Sequence, residues 1–101
     1  MSEDQKNKEQ AMHLTKVLLE RHEKIFGETD ERLLYFLSKL ATKHAEKGEF
    51  QEASLLQARH FFILKRLSDN PVINNMYKGD IKRKLNESAT LRDAYMKKRN
   101  S

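Results

Sequence analysis

The stretch "LATKHAEKGEFQEASLL", residues 40–56, decides the fold. It sets the small residues Ala41, Ala45 and Ala53 on both sides of Gly48, with Phe50 as its single aromatic ring. Two helices joined by a tight turn need small side chains where their backbones approach. They need a glycine where the first helix ends in the left-handed conformation. One large side chain wedged between the pair adds to its packing. Ala41, Gly48, Phe50 and Ala53 supply those parts in chain order, which predicts a helical hairpin cornered at Gly48.

Upstream, Gly27 offers the same kind of stop. Ala11, Leu14, Leu18 and Ile25 recur at helical spacing before it, which predicts a first helix over about residues 9–26. Thr29 or Asp30 is placed to cap a second helix over about 31–47, whose wide apolar face holds Leu33, Leu34, Phe36, Leu37, Leu40, Ala41 and Ala45. The third runs over about 50–67 and carries Ala53, Leu56, His60, Ile63, Leu64 and Leu67. "SDNP", residues 68–71, is a stop signal that sets Pro71 in the first turn of a fourth segment. That segment reaches about residue 97 with a break near Gly79, and its stripe of Ile81, Leu85, Ala89 and Tyr95 is thinner. Residues 1–8 lack any apolar side chain beyond Met1, so a flexible lead is expected ahead of one helical domain over 9–101.

Composition agrees. With 101 residues, three glycines and one proline, and with Val and Ile confined to Val17, Ile25, Ile63, Val72, Ile73 and Ile81, the chain has too little strand-forming material for a sheet. The fold class is all-α. Cysteine is absent, which removes disulfides and thiolate metal sites. No run approaches the roughly 20 apolar residues of a membrane span, and "MSEDQKNKEQ" is too polar for a signal peptide. A cytoplasmic protein is expected, with the nucleus open if the source is eukaryotic.

The corner extends upstream without a gap. "LLERHEKIFGETDERLLYFLSKLATKHAEKGEFQEASLL", residues 18–56, resembles the tetratricopeptide repeat in the longer variety, roughly 42 residues, found in kinesin light chains. In that register Ala11 corresponds to Ala53 and Leu14 to Leu56. Two positions depart from the pattern: Gln57 stands where the repeat usually has a large aromatic, and His60 where it has a small residue. Beyond Pro71 the pattern ends. The resemblance implies antiparallel helical hairpins, about four helices in all. They comprise the second helix of one repeat, one complete repeat, and a divergent last segment acting as a cap. Because repeat arrays usually need about three units, a homodimer is the alternative remedy, and a plain three- or four-helix bundle is the alternative architecture.

The same resemblance implies a groove for a peptide or helix of another protein, lined by Tyr35, Ser38, Thr42, Ala45 and Glu46. Ser38 and Thr42 replace the Lys and Asn pair that holds a C-terminal carboxylate in some members, so carboxylate clamping is not expected. "RHFFILKR", residues 59–66, covers most of a helix circumference with apolar groups. Either neighbours bury it on both sides, or Phe61 and Phe62 present an apolar surface to a partner.

Catalytic parts are not found. His13, His22, His44 and His60 lack metal-ligand spacing. No glycine-rich phosphate loop, serine elbow or nucleophile beside a base is present. No catalytic residue, metal or cofactor is therefore assigned, and the chain is read as a non-enzyme. The net charge of +5 lies wholly in residues 71–101, where 8 basic residues face 3 acidic ones. Lys82, Arg83, Lys84, Lys97, Lys98 and Arg99 make that segment a candidate contact for nucleic acid or an acidic partner. The tail "KRKLNESATLRDAYMKKRN", residues 82–100, holds one aromatic, Tyr95, fewer than single-strand readers use. The leading expectation is a small adaptor or regulatory subunit that binds another protein.

Overall fold

A computed structural model describes residues 3–77 and 79–100. It contains five helices: α1 (Glu3–Phe26), α2 (Leu33–Glu46), α3 (Phe50–Ser68), α4 (Pro71–Tyr77) and α5 (Asp80–Arg99). Among the described residues there is no strand, and no helix is long and apolar enough to cross a membrane.

The α2–α3 corner forms by local hydrogen bonding. Gly48 N–H donates to Ala45 O at 3.0 Å, Glu49 N–H donates to His44 O at 2.9 Å, and Gly48 has φ +78°. This pair of bonds closes the carbonyls that a helix end leaves open, and it requires the left-handed residue that glycine adopts without strain. Ala41 and Ala53 on either side are fully buried. The ring facing Phe50 belongs to Tyr95 of α5, with centroids 6.4 Å apart. The corner's aromatic thus also anchors the last helix.

The other boundaries have equally local causes. Asp30 Oδ1 accepts the Arg32 N–H at 2.9 Å and its carbonyl accepts from Leu33, so the capping residue acts through one turn and α2 starts at Leu33, two residues later than expected. Asn70 Oδ1 accepts from the Val72 N–H at 3.0 Å just before Pro71 opens α4. Gly79, with φ +89°, separates α4 from α5.

The helices pack in the order α1 on α2, α2 on α3, α3 on α5, with α4 as a short link touching α3 and α5. Contacts run in opposite directions along α3 and α5: Phe50 meets Tyr95, and Gln57 meets Ser88. The core is Leu19, Leu33, Leu37, Leu40 and Ile63, with Met12, Leu34, Phe36, Leu56 and Leu67 against it. Each fully buried leucine contributes about 1.5–3 kcal/mol of transfer free energy. The molecule measures 49 × 35 × 19 Å. Its shortest dimension is under two helix diameters of about 10–12 Å each, so even the central helices keep a face open to solvent.

Two expectations need correction in α1. The helix begins at Glu3, inside the segment expected as a flexible lead; Met1 and Ser2 of that lead lie outside the described residues. Its inward side is also rotated by about one position from the expected stripe. Thr15 and Leu19 are buried and Met12 partly so, whereas Leu14 is 58% exposed and Ala11 and Ile25 are exposed. Thr15 tolerates burial because its hydroxyl donates to Ala11 O at 2.9 Å. The pairs Ala11/Ala53 and Leu14/Leu56 therefore sit in unlike surroundings. Physically, α3 lies between two helices, while α1 has α2 on one side only.

Candidate functional site

Gln57 and His60 are three residues apart on α3 and so share a face. Opposite them, Ser88 is buried on α5. Gln57 Nε2 donates to Ser88 Oγ at 2.8 Å, and Ser88 Oγ stands 2.8 Å from His60 Nδ1. These distances fit one proton order: amide to hydroxyl to imidazole, with neutral His60 accepting on Nδ1 and carrying its proton on Nε2. Burial pushes the His60 imidazole below its ordinary range, and the nearby Lys84 ammonium adds to the shift. Among the described residues no buried side-chain N or O lacks a partner.

This polar chain floors a cleft of about 520 Å³ between α2, α3 and α5. Leu34, Leu64 and Leu91 form its apolar walls. On the α2 rim, Lys39 Nζ donates to Tyr35 Oη at 3.2 Å, and Tyr35 is 64% exposed; Lys84 and Glu87 hold the α5 rim. Hydrocarbon walls with a few fixed polar groups suit the side chains of an extended peptide or a helix. Ser88 Oγ faces Gln57 and His60, not the opening.

The five expected groove residues do not form one surface. Tyr35 and Ser38 line the cleft, joined by Leu91 from α5. Thr42 is exposed and donates its hydroxyl to Ser38 O at 3.0 Å, and Ala45 is half-buried. Glu46 lies about three turns beyond Tyr35 on α2, in a separate hollow of about 210 Å³ shared with Lys8, Glu9 and Lys43. The cause is axial: position 46 lies within about 20° of position 35 around the helix but about 16 Å further along it, where residues of α1 are its neighbours. A third groove of about 590 Å³ runs between α1 and α3, over Met12, Lys16 and Leu56. Glu23 closes one side of it by accepting from Arg59 Nη2 at 2.6 Å.

The "RHFFILKR" segment divides. Phe61 is partly buried beneath the Arg92 guanidinium, 4.4 Å from its centroid, so it is not an exposed patch; Phe62 is 53% exposed. Ile63 and Leu64 are core.

The basic segment is one helix, but much of its charge is answered. Arg83 pairs with Asp80 at 2.7 Å and Glu87 at 3.0 Å, and Lys84 reaches Asp80 at 3.7 Å. The Arg83 hydrogen bond holds the Asp80 carboxyl below the usual carboxylate range. Lys98 lies over the Phe50 ring at 5.2 Å. Lys82, Lys97 and Arg99 are exposed, with Lys82 and Lys97 about 22 Å apart along the axis.

Ser88 and Leu91 escaped sequence reasoning. Their signal was indirect: Gln57 and His60 are polar side chains on a face otherwise apolar, which calls for a polar partner on whatever packs there. Among the described residues no group of three or more His, Asp or Glu side chains converges as a metal site. No protein-family model matches the chain, and neither the curated proteins nor the solved structures contain a match to it.

Proposed function

We propose that this chain is a non-enzymatic, cytoplasmic adaptor or regulatory subunit that holds a peptide or helix of another protein in the α2–α3–α5 cleft. The observation that supports the reading is the cleft itself: apolar walls from three helices, with an exposed tyrosine at the rim. The resemblance of residues 18–56 to a tetratricopeptide hairpin supports the same class of role. The open faces of Leu34, Tyr35 and Leu91 receive apolar side chains, while Lys39 on the α2 rim and Lys84 and Glu87 on the α5 rim set the partner's charge pattern.

A photoreactive residue at position 35 in the native host identifies what occupies the cleft. Purified partner is then titrated against Tyr35→Ala, Leu91→Glu and Glu46→Lys. The first two weaken binding about tenfold or more, as expected for a rim aromatic and an apolar wall; Glu46→Lys, outside the cleft, leaves it within about twofold. Equal affinity of all three variants overturns the assignment.

The alternative is nucleic-acid association through Lys82, Lys97 and Arg99, supported by their exposure. It requires affinity that falls steeply with salt through counterion release. A salt-insensitive or absent interaction with duplex and single-stranded probes removes it.

A further inference from the structure

α3 is covered by α2 on one side and α5 on another, and its third side is bare. That side carries Leu55, 56% exposed, Ala58, half-buried, and Phe62, 53% exposed. The spacing of three and then four residues continues outward to Gln51 and Lys65, so the five positions form one seam of the kind that packs against a second helix. We propose that the occupant of this seam is a second copy of this chain, with the two α3 helices antiparallel across a twofold axis near position 60.

Self-complementarity selects that occupant. Pairing α3 with itself in this register sets the bulky Phe62 over the small Ala58 of the other copy, and by symmetry the reverse. Leu55 lies along the aliphatic stem of the facing Lys65. Charges at the ends decide the direction. Glu52 lies in the first turn of α3, and Lys65 and Arg66 lie in its last. In the antiparallel pair the flank that carries Glu52 and Arg66 faces itself and sets each Glu52 beside the facing Arg66, whereas a parallel pair turns that flank toward the opposite one and forms neither contact. Arg59 meets its own symmetry mate near the axis. Its charge is already answered by Glu23 in the same copy, at 2.6 Å, so the approach does not bring two bare cations together.

A seam of about four turns buries well under the roughly 800 Å² per partner of a standard interface, so the dimer is weak and concentration-dependent. Sedimentation equilibrium of the full chain from about 10 µM to about 1 mM then reads a mean mass that climbs toward twice that of one chain. Phe62→Glu removes the climb while helical circular dichroism stays unchanged, since the side chain is largely exposed. Glu52→Arg and Arg66→Glu each weaken association about tenfold, and the two together restore it to within about threefold. A strict monomer at the highest concentration overturns the proposal, as does a dimer indifferent to Phe62→Glu. Failure of the charge swap to restore association overturns the antiparallel register and with it the proposed pairing.

Discussion

Ser88 Oγ of α5 stands 2.8 Å from His60 Nδ1 of α3, and the same oxygen accepts from Gln57 Nε2 at 2.8 Å. One small hydroxyl thus satisfies two longer side chains on the facing helix. It lies midway between the Phe50–Tyr95 contact and the α4 end of the interface, so it fixes the axial register of α5 as apolar packing alone does not.

Removing that hydroxyl takes the central partner from buried Gln57 and half-buried His60 and leaves them only their own long contact of 3.4 Å. Ser88→Ala is expected to lower stability by about 1–3 kcal/mol, the cost of stranded polar groups. Ser38→Ala, at the cleft rim, stays within about 0.5 kcal/mol. Urea denaturation of the two variants measures the difference; equal midpoints mean that the polar chain does not hold α5.

The same chain makes stability depend on pH. Neutral His60 is the form the site favours, because burial disfavours the imidazolium and Lys84 opposes a second positive charge nearby. Glu87, also at the cleft, sits on the solvent rim and is held by Arg83 at 3.0 Å. With the folded-state pKa lowered, the unfolded chain binds the proton first as pH falls. The contribution is therefore full above about pH 6.5, the ordinary imidazole value, and is lost on going down through the depressed folded value. Urea midpoints measured from pH 8 to pH 5 fall for the wild type, and His60→Gln flattens the fall. A slope unchanged by the substitution locates the dependence elsewhere.

Gly48 is a purely conformational requirement. A Cβ built there meets nothing within 4 Å, yet φ is +78°. Gly48→Ala is expected to cost about 1–2 kcal/mol with no clash, and Gly48→Asn less, since Asn tolerates this region. In a domain of this size each kcal/mol lowers Tm by about 4–8 °C. A thermal melt in which Ala and Asn are equally benign removes the left-handed corner from the account of the fold.

What the sequence made legible follows from how local each cause is. The Gly48 corner, the Asn70–Pro71 start and the Gly79 break are set by a few neighbouring residues, and each lies within two residues of its expected place. The faces of α2 and α3 were equally clear, because helices packed on two sides carry many apolar residues. The orientation of α1 was not: Thr15 reads as surface until its hydroxyl is seen to bond within its own helix. Nor was the split of the groove residues, since whether Tyr35 and Glu46 share a surface depends on where α1 and α5 lie, and nothing local encodes that.

The rotated face of α1 yields the last expectation. Leu19 is nearly fully buried in the core with Leu33, Leu37, Leu40 and Ile63, while Leu14 is mostly in solvent. Leu19→Ala opens a cavity and is expected to cost about 2–5 kcal/mol; Leu14→Ala, removing an exposed side chain, changes stability by no more than about 0.5 kcal/mol. The comparison is sensitive because the two leucines are five residues apart, about 140° around one helix, so no small tilt of α1 buries both. If Leu14→Ala is the more damaging substitution, α1 packs through the stripe of Ala11, Leu14, Leu18 and Ile25. The repeat register that equates Leu14 with Leu56 is then recovered. If Leu19→Ala is, α1 uses a face of its own, and its likeness to α3 is one of sequence spacing, not of packing.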